Sequence, residues 1–385
     1  MHLTARHYAT GRPVHLEIEA GVISAIEEVA AAPEYLMWVA PGLVDLQVNG
    51  FGGHDFTCAG DGTTAHVVKA LVQRGVTTIL PTVITSPVSS IRRALSAIAA
   101  ECRGDGMLSS AVAGIHLEGP FISPQSGARG AHPRRYVRAP DWDLYRQWQH
   151  AACGMIRLVT LAPEWTDAPA FICKLRRAGV RVAIGHTNAS TMQIAAAVDA
   201  GARLSTHLGN GCAPLLPRHP NILWDQLAED RLWASFIADG FHLPAAVVKS
   251  ILRVKGRRTF LVSDVSPLAG LEPGPYQTAA GQRVELTSSG ALRLASEKPH
   301  ASSGLLAGSA RTLLDGVEQL MRWRLASLHT AWDLASVRPA RFLRLPQAAG
   351  LRPGAPADLV LFELAATGVR IRRVYKAGVP VWETS

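Results

Sequence analysis

Apolar positions in this chain fall in short runs whose period changes along its length. Near the N-terminus, Val14-His15-Leu16-Glu17-Ile18-Glu19 and Val22-Ile23-Ser24-Ala25-Ile26-Glu27 flank Ala20-Gly21. Runs with strand-like alternation on either side of a glycine predict a hairpin. The C-terminus has the same texture. Ala357–Phe362 predicts one strand, and Ile371–Tyr375 predicts another ahead of the turn Lys376-Ala377-Gly378. Two strand-rich ends predict one small β-sandwich domain assembled from residues 1–42 and 351–385.

Between them the pattern becomes strand and helix in alternation. Eight apolar runs read as strands: Leu43–Val48, Thr77–Leu80, Ala113–Leu117, Ile156–Leu161, Arg181–Ile184, Arg203–Thr206, Ala234–Ala238 and Thr259–Ser263. Thr64–Arg74, Val88–Ala100 and Thr191–Ala200 repeat apolar residues at three- and four-residue spacing, the period of a helix with one buried face. Eight strands alternating with helices predict a (β/α)₈ barrel, of the TIM type, over residues 43–350. Gly270–Pro299, rich in Gly, Pro and Ser, reads as an insertion after the eighth strand, with two short strands forming a hairpin near the barrel mouth. Residues 311–345 read as helices that close the barrel.

Composition narrows the function classes. The chain has 385 residues, 48% of them hydrophobic, enough to bury a large core and too many for long disorder. No apolar run reaches the roughly 20 residues of a membrane-spanning helix. Met1-His2-Leu3-Thr4-Ala5-Arg6 leads into no apolar signal region, so the expected compartment is the cytoplasm. Cys58, Cys102, Cys153, Cys173 and Cys212 form no C-x-x-C pair and read as reduced thiols. Cys212 stands apart because its loop looks functional. The formal charge of +9 comes with no long Lys/Arg block and no basic-aromatic interleaving, which argues against a nucleic-acid partner and leaves an anionic small molecule open.

Four of the strands end in an ionisable side chain. The runs are Gly114-Ile115-His116-Leu117-Glu118-Gly119-Pro120, Ala183-Ile184-Gly185-His186-Thr187-Asn188, Leu204-Ser205-Thr206-His207-Leu208 and Leu261-Val262-Ser263-Asp264. A parallel barrel delivers such residues to one mouth. A catalytic zinc site takes three protein ligands and keeps a fourth position for water, and Glu118, His186 and His207 supply three. Asp264, followed by the loop Ser266-Pro267, suits a general base that takes a proton from water and returns it to a leaving amine. The set points to metal-assisted hydrolysis.

The runs Pro41-Gly42-Leu43-Val44-Asp45-Leu46-Gln47-Val48-Asn49-Gly50, His116-Leu117-Glu118-Gly119-Pro120-Phe121, Gly185-His186-Thr187-Asn188-Ala189, Thr206-His207-Leu208, Ala238-Asp239-Gly240-Phe241-His242 and Leu306-Ala307-Gly308-Ser309 closely resemble those of N-acetylglucosamine-6-phosphate deacetylases, in the amidohydrolase superfamily. The resemblance runs from about Pro41 to Asp358 and includes Gly354-x-x-Ala357-Asp358. It implies metal ligands at Glu118, His186 and His207, and the acid/base at Asp264. It implies sugar and phosphate contacts from Asn210, Gly211, Arg218 and His242. Ala131, His132 and the Leu306–Gly308 loop, Ala307 included, fall where the family touches substrate or polarises its carbonyl; His132 is the expected oxyanion stabiliser. An arginine fork suits phosphate, and a half-exposed histidine can donate to it.

The first strand bears on the metal count. Many amidohydrolases carry His-x-His there and bind a second ion, whereas this chain has Gln47-Val48-Asn49. Neutral amides replace imidazole poorly as zinc ligands, so one divalent ion per chain is expected: zinc first, with iron, cobalt and manganese also suited. Whether Gln47 and Asn49 scaffold the loop or act near the substrate stays open at this level. The chain departs from the family at Asn210-Gly211-Cys212, where Asn-Ala-Met is usual, at Asp264-Val265-Ser266-Pro267-Leu268, and in a slightly longer Ser123–Gly130 segment. These departures surround the substrate. The expected activity is deacetylation of N-acetylglucosamine 6-phosphate, with N-acetylgalactosamine 6-phosphate, another anionic amidohydrolase substrate, or sugar-phosphate binding without turnover as alternatives. The resemblance also implies a homodimer in which basic residues such as Arg134 or Arg135 reach a partner's phosphate.

Overall fold

The computed structural model describes residues 1–30, 36–295 and 305–384. Eight parallel strands follow one another in chain order around a nearly closed barrel: Leu43–Val48, Val76–Ile84, Ile115–Glu118, Ile156–Leu161, Arg181–Ile184, Leu204–Ser205, Trp233–Phe236 and Thr259–Leu261. The ring closes through a single parallel bridge, Val48 to Val265 just past the eighth strand. All eight predicted strands are present, three of them with the predicted bounds. The predicted helices appear at Thr63–Val72, Val88–Gly104 and Thr191–Ala200.

Alternation along each strand sorts the barrel into layers. Leu43, Ile115, Leu117, Val159, Leu161 and Val182 pack outward against the helices. Val44, Leu46, Leu80, Leu158, Ala183, Leu204 and Phe260 fill the interior floor, which Phe342 and Leu343 of the helix Val337–Leu343 plug from below. Above that floor the interior turns polar. His116 Nε2 lies 2.8 Å from Thr160 Oγ1, which lies 2.8 Å from Thr206 Oγ1. Burial pushes the His116 imidazole down to about 4, so it is neutral within this layer.

The two termini meet in one seven-stranded sheet, ordered Val379–Glu383, Gly368–Lys376, Leu359–Ala365, Trp38–Pro41, His2–His7, Pro13–Glu19, Val22–Glu28. The predicted hairpin turn has positive φ at both Ala20 and Gly21, as a two-residue hairpin requires. A buried ion pair ties this sheet to the barrel: Lys376 Nζ donates to Asp358 Oδ2 across 2.7 Å and to Thr78 Oγ1 of the second barrel strand across 3.1 Å. The Gly354-x-x-Ala357-Asp358 motif is thus an architectural joint. The insertion after the eighth strand holds three antiparallel strands where two were expected, Gly274–Gln277, Arg283–Leu286 and Leu292–Leu294. Its far end, residues 296–299, lies outside the described residues. Residues 311–345 carry the expected helices, Leu313–Arg322, Leu328–Leu334 and Val337–Leu343. Among the described residues no helix is long and apolar enough to cross a membrane.

Candidate metal centre and active site

Strand parity aims the third strand's ionisable residues inward. Because Ile115 and Leu117 face the helices, His116 and Glu118 face the barrel interior, and Glu118 is the last residue of its strand. His186, His207 and Asp264 follow the fifth, sixth and eighth strands. All three hold left-handed backbone, with φ of 50°, 31° and 51°. Eight non-glycine residues among those described have positive φ; the other five sit at hairpin turns or just past helices. A left-handed non-glycine residue costs about 1–3 kcal/mol, and here the strain turns three side chains toward one point.

At that point Glu118 Oε1 lies 3.1 Å from His207 Nε2 and 3.4 Å from His186 Nε2, and the two Nε2 atoms lie 3.0 Å apart. Ligands at about 2.0–2.1 Å around a tetrahedral ion stand about 3.3 Å from one another. The trio already has that spacing. Two imidazole nitrogens and a carboxylate oxygen this close, all buried, are a donor set that suits zinc or another first-row divalent ion. His132 adds a fourth nitrogen: its Nε2 is 3.3 Å from His186 Nε2, and its Nδ1 is 2.9 Å from Thr85 Oγ1. Glu118, His132 and His186 therefore form a second, overlapping trio. The first trio is the better cage, since each of its three pairs lies at 3.0–3.4 Å.

Electrostatics divide the labour. Burial drives the Glu118 carboxyl up, but hydrogen bonds and charge from His186 and His207 outweigh it and hold the group well below the usual carboxylate range. Burial and then the negative charge of Glu118 push Asp264 up. Burial, reinforced by His186, drives His132 down to about 3 and keeps it neutral. One carboxylate is thus held ionised while its neighbour binds protons more readily, which is how a fold separates a ligand from a proton carrier.

Gln47 and Asn49 explain why the first strand closes here. Gln47 Nε2 donates to Glu118 Oε1 at 3.0 Å and to Asp264 Oδ1 at 3.1 Å, and Asn49 Nδ2 donates to the same Asp264 oxygen at 2.7 Å. Their amides point N–H groups, not lone pairs, at the carboxylates. Both residues therefore act as scaffold for the acidic pair, and Asn49 also lines the cavity above it.

That cavity has a volume of about 880 Å³, within the usual range for small-molecule sites. It gathers Glu118, His186, His207, Asp264 and His132 with Ala131, Asn210, Gly211, His242, Leu306, Ala307 and Gly308. The insertion contributes Gln277, Thr278 and Gln282 to its rim. Arg218 is the one predicted contact that is not brought in. It lies on the exposed loop ahead of the helix Ile222–Ala228, where its carbonyl accepts from Asn221 Nδ2. No lysine or arginine among the described residues lines the cavity.

Three supporting residues escaped the sequence reading. Asp239 Oδ2 accepts from His242 Nδ1 at 2.8 Å and from Ser309 Oγ at 3.0 Å, while its Oδ1 accepts from the backbone of Phe241 and His242. Asp239 follows the seventh strand, so the strand-end signal that marks Asp264 was available for it too. Glu164 accepts from Thr187 Oγ1 and Asn188 N, bracing the loop behind His186. Thr85 fixes the ring of His132. Neither has a signature in sequence beyond its nearness to a strand end.

The profile of the amidohydrolase family matches residues 38–381. The chain belongs to the amidohydrolase family. It is similar to the N-acetylglucosamine-6-phosphate deacetylase of Vibrio furnissii, 32% identical over 370 residues that span 93% of this chain and 90% of the relative. It is equally similar to the N-acetylgalactosamine-6-phosphate deacetylase of Escherichia coli O157:H7, 32% identical over 366 residues, 94% of this chain and 93% of the relative. The crystal structure of N-acetyl-D-glucosamine-6-phosphate deacetylase from Mycobacterium smegmatis superposes with a TM-score of 0.87, at 33% identity, covering 99% of this chain and 100% of that one. Amidohydrolases depend on a metal, and the convergence of Glu118 with three histidines gives this amidohydrolase a place to hold one.

Proposed function

We propose that the chain hydrolyses the acetamide of an N-acetylated amino sugar phosphate, first among them N-acetylglucosamine 6-phosphate, releasing acetate and the free amine. The observation that carries this reading is the pairing, in one cavity, of the Glu118–His186–His207 trio with a buried Asp264 whose carboxyl is pushed up by its surroundings. Glu118, His186 and His207 would hold one divalent ion, zinc by donor chemistry. Such an ion, when bound, lowers the pKa of water to about 7 and polarises an amide oxygen.

The chain's own groups do the rest. Asp264 accepts the proton of the attacking water and passes it to the departing nitrogen. Gln47 and Asn49 donate to Asp264 Oδ1 and so leave its other oxygen for the reaction. His132, neutral and held by Thr85, donates to the developing oxyanion through Nε2, a role that adds about a hundredfold or more in rate. Ala131, Asn210, Gly211 and the Leu306–Gly308 backbone hold the sugar, and His242 faces its anionic end. Because no lysine or arginine among the described residues lines the cavity, Arg218 from the neighbouring loop, or Arg134 and Arg135 from a second copy in a homodimer, supplies the charge for the phosphate.

Deacetylation of the two epimeric sugar phosphates, measured side by side with the metal-loaded enzyme and with Asp264→Asn, tests the reading. N-acetylglucosamine 6-phosphate should turn over faster than its galactose epimer. The variant should retain fold and metal yet lose turnover. The reverse preference would favour the galactosamine reading. An active Asp264→Asn would remove the base from the mechanism.

A further inference from the structure

A second convergence of ligand atoms lies on the outer face of the N-terminal hairpin, away from the barrel mouth. The strands His2–His7 and Pro13–Glu19 run antiparallel with His2 opposite Glu17 and Thr4 opposite His15. Leu3, Ala5, Leu16 and Ile18 turn into the core. The period of two therefore places His2, Thr4, His15 and Glu17 together on the outer face. His2 Nδ1 lies 3.3 Å from His15 Nε2 and 3.8 Å from Glu17 Oε1, and one ligand atom from each of the three falls within 4.8 Å of the others.

The rings already stand as co-ligands would. Their centroids are 5.4 Å apart with planes 19° from parallel. Two imidazoles on one tetrahedral ion have centroids about 5 Å apart, given nitrogen–metal distances of about 2.0–2.1 Å. The far nitrogen of His15 is engaged: Nδ1 lies 3.0 Å from Thr4 Oγ1, the kind of outer contact that fixes a ligand's tautomer and leaves Nε2 for a metal. The backbone beneath is pinned, because Met1 N donates to Ile18 O at 2.7 Å. None of the three residues lines the catalytic cavity.

We propose that His2, His15 and Glu17 form a peripheral site for a late first-row divalent ion, with zinc as the best match. Two nitrogens and one carboxylate oxygen suit zinc, nickel or cupric ion, and exclude magnesium and calcium, which require oxygen ligands. The ion joins the first two strands of the terminal sheet. Because only the folded hairpin presents the three ligands together, binding raises the stability of the fold.

The test is a calorimetric zinc titration of the untagged chain whose catalytic site has already been loaded and desalted. We expect one further zinc per chain, with micromolar affinity, and a rise of a few degrees in Tm at saturating zinc. Magnesium should give neither. His15→Ala and His2→Ala, both surface changes, should each weaken this second event by more than about tenfold and abolish the Tm rise, while the catalytic ion and the turnover rate stay at parent values. Absence of any second zinc below about 1 mM, weaker than a three-ligand site allows, would overturn the proposal. So would an unchanged second event in His15→Ala.

Discussion

Asn49 donates through Nδ2 to Oδ1 of Asp264 across 2.7 Å, so the ends of the first and eighth strands are joined by a hydrogen bond at the carboxyl proposed to carry the proton. This contact favours the ionised carboxyl, against the burial and the Glu118 charge that push the group up. Removing it, in Asn49→Ala, takes away a force that lowers the pKa. The acid limb of the kcat/KM profile should therefore move to higher pH. A base must be ionised to act, so activity is lost as pH falls through that limb. A limb unmoved in Asn49→Ala, with metal content intact, would place the titrating base elsewhere.

The same two amides bear on the expected metal count of one. Gln47 and Asn49 present N–H groups to Glu118 and Asp264, where a second ion would need lone pairs. After loading and desalting, elemental analysis should find close to one tightly held divalent ion per chain. The double change Gln47→His and Asn49→His should raise that number toward two. Two tightly held ions in the parent would show that the amides do not close the second position.

How far the site could be read from sequence depended on where each residue sits in its strand. Glu118, His186, His207 and Asp264 each break an apolar run at its end, a one-dimensional signal that survives without coordinates. The strands Leu43–Val48, Ile156–Leu161 and Arg181–Ile184 were legible in both bounds because a glycine, asparagine or proline stands within two residues beyond each end: Gly42 and Asn49, Gly154 and Pro163, Gly179 and Gly185. The second strand runs on to Ile84, further than its sequence suggests, because Thr82 faces a polar interior layer with His116 and breaks the apolar pattern from within. Arg218 marks the limit of that signal. Its side-chain chemistry suits phosphate, but sequence carries no information about which way the long loop between the sixth strand and the helix Ile222–Ala228 turns, and this one leaves it exposed. Asp239 carries the same strand-end signal as Asp264, but what it does, holding His242 and Ser309, shows only in the contacts.

Gly211 replaces the usual alanine of the family motif, and the structure gives a reason. A Cβ there would stand 2.9 Å from Nδ1 of His186, and the residue has a φ of +57°. Gly211→Ala should displace a metal-holding imidazole as well as strain the backbone, and we expect metal affinity to fall by about tenfold or more. Gly154→Ala separates the two effects. Its φ is +81° and nothing lies within 4 Å of its added Cβ, so it carries only the backbone penalty of about 1–2 kcal/mol. Equal metal binding by the two variants would show that Gly211 does not seat His186.

Asp239 and His242 form a buried pair 2.8 Å apart, and their hydrogen bond weighs against burial strongly enough to hold Asp239 down at about 2. The aspartate keeps the imidazole proton on Nδ1 and turns Nε2 toward the cavity. Asp239→Asn should keep the fold but release the tautomer. We expect KM for the phosphorylated sugar to rise about tenfold with kcat less affected, and His242→Gln to act in the same direction. A loss confined to kcat would mean that the pair serves the chemical step rather than the anion.

Arg218 provides the sharpest test of how the phosphate is met. Among the described residues no lysine or arginine lines the cavity, and the proposed sources of charge are an exposed segment of this chain or a partner. A hydrogen bond to a charged group is worth about 1.5–3 kcal/mol, which converts to a loss of roughly ten- to a hundredfold. Arg218→Ala should reduce kcat/KM by that factor for N-acetylglucosamine 6-phosphate and leave unphosphorylated N-acetylglucosamine nearly unchanged. If Arg218 acts within its own chain, the effect persists at every protein concentration. If Arg134 and Arg135 act across a dimer, the double change to alanine gives the selective loss instead. In that case the parent enzyme should lose the same preference for phosphate when diluted until light scattering reports monomers. Equal slowing of both sugars by all of these variants would remove the phosphate clamp and, with it, the case for a sugar phosphate over an uncharged amide.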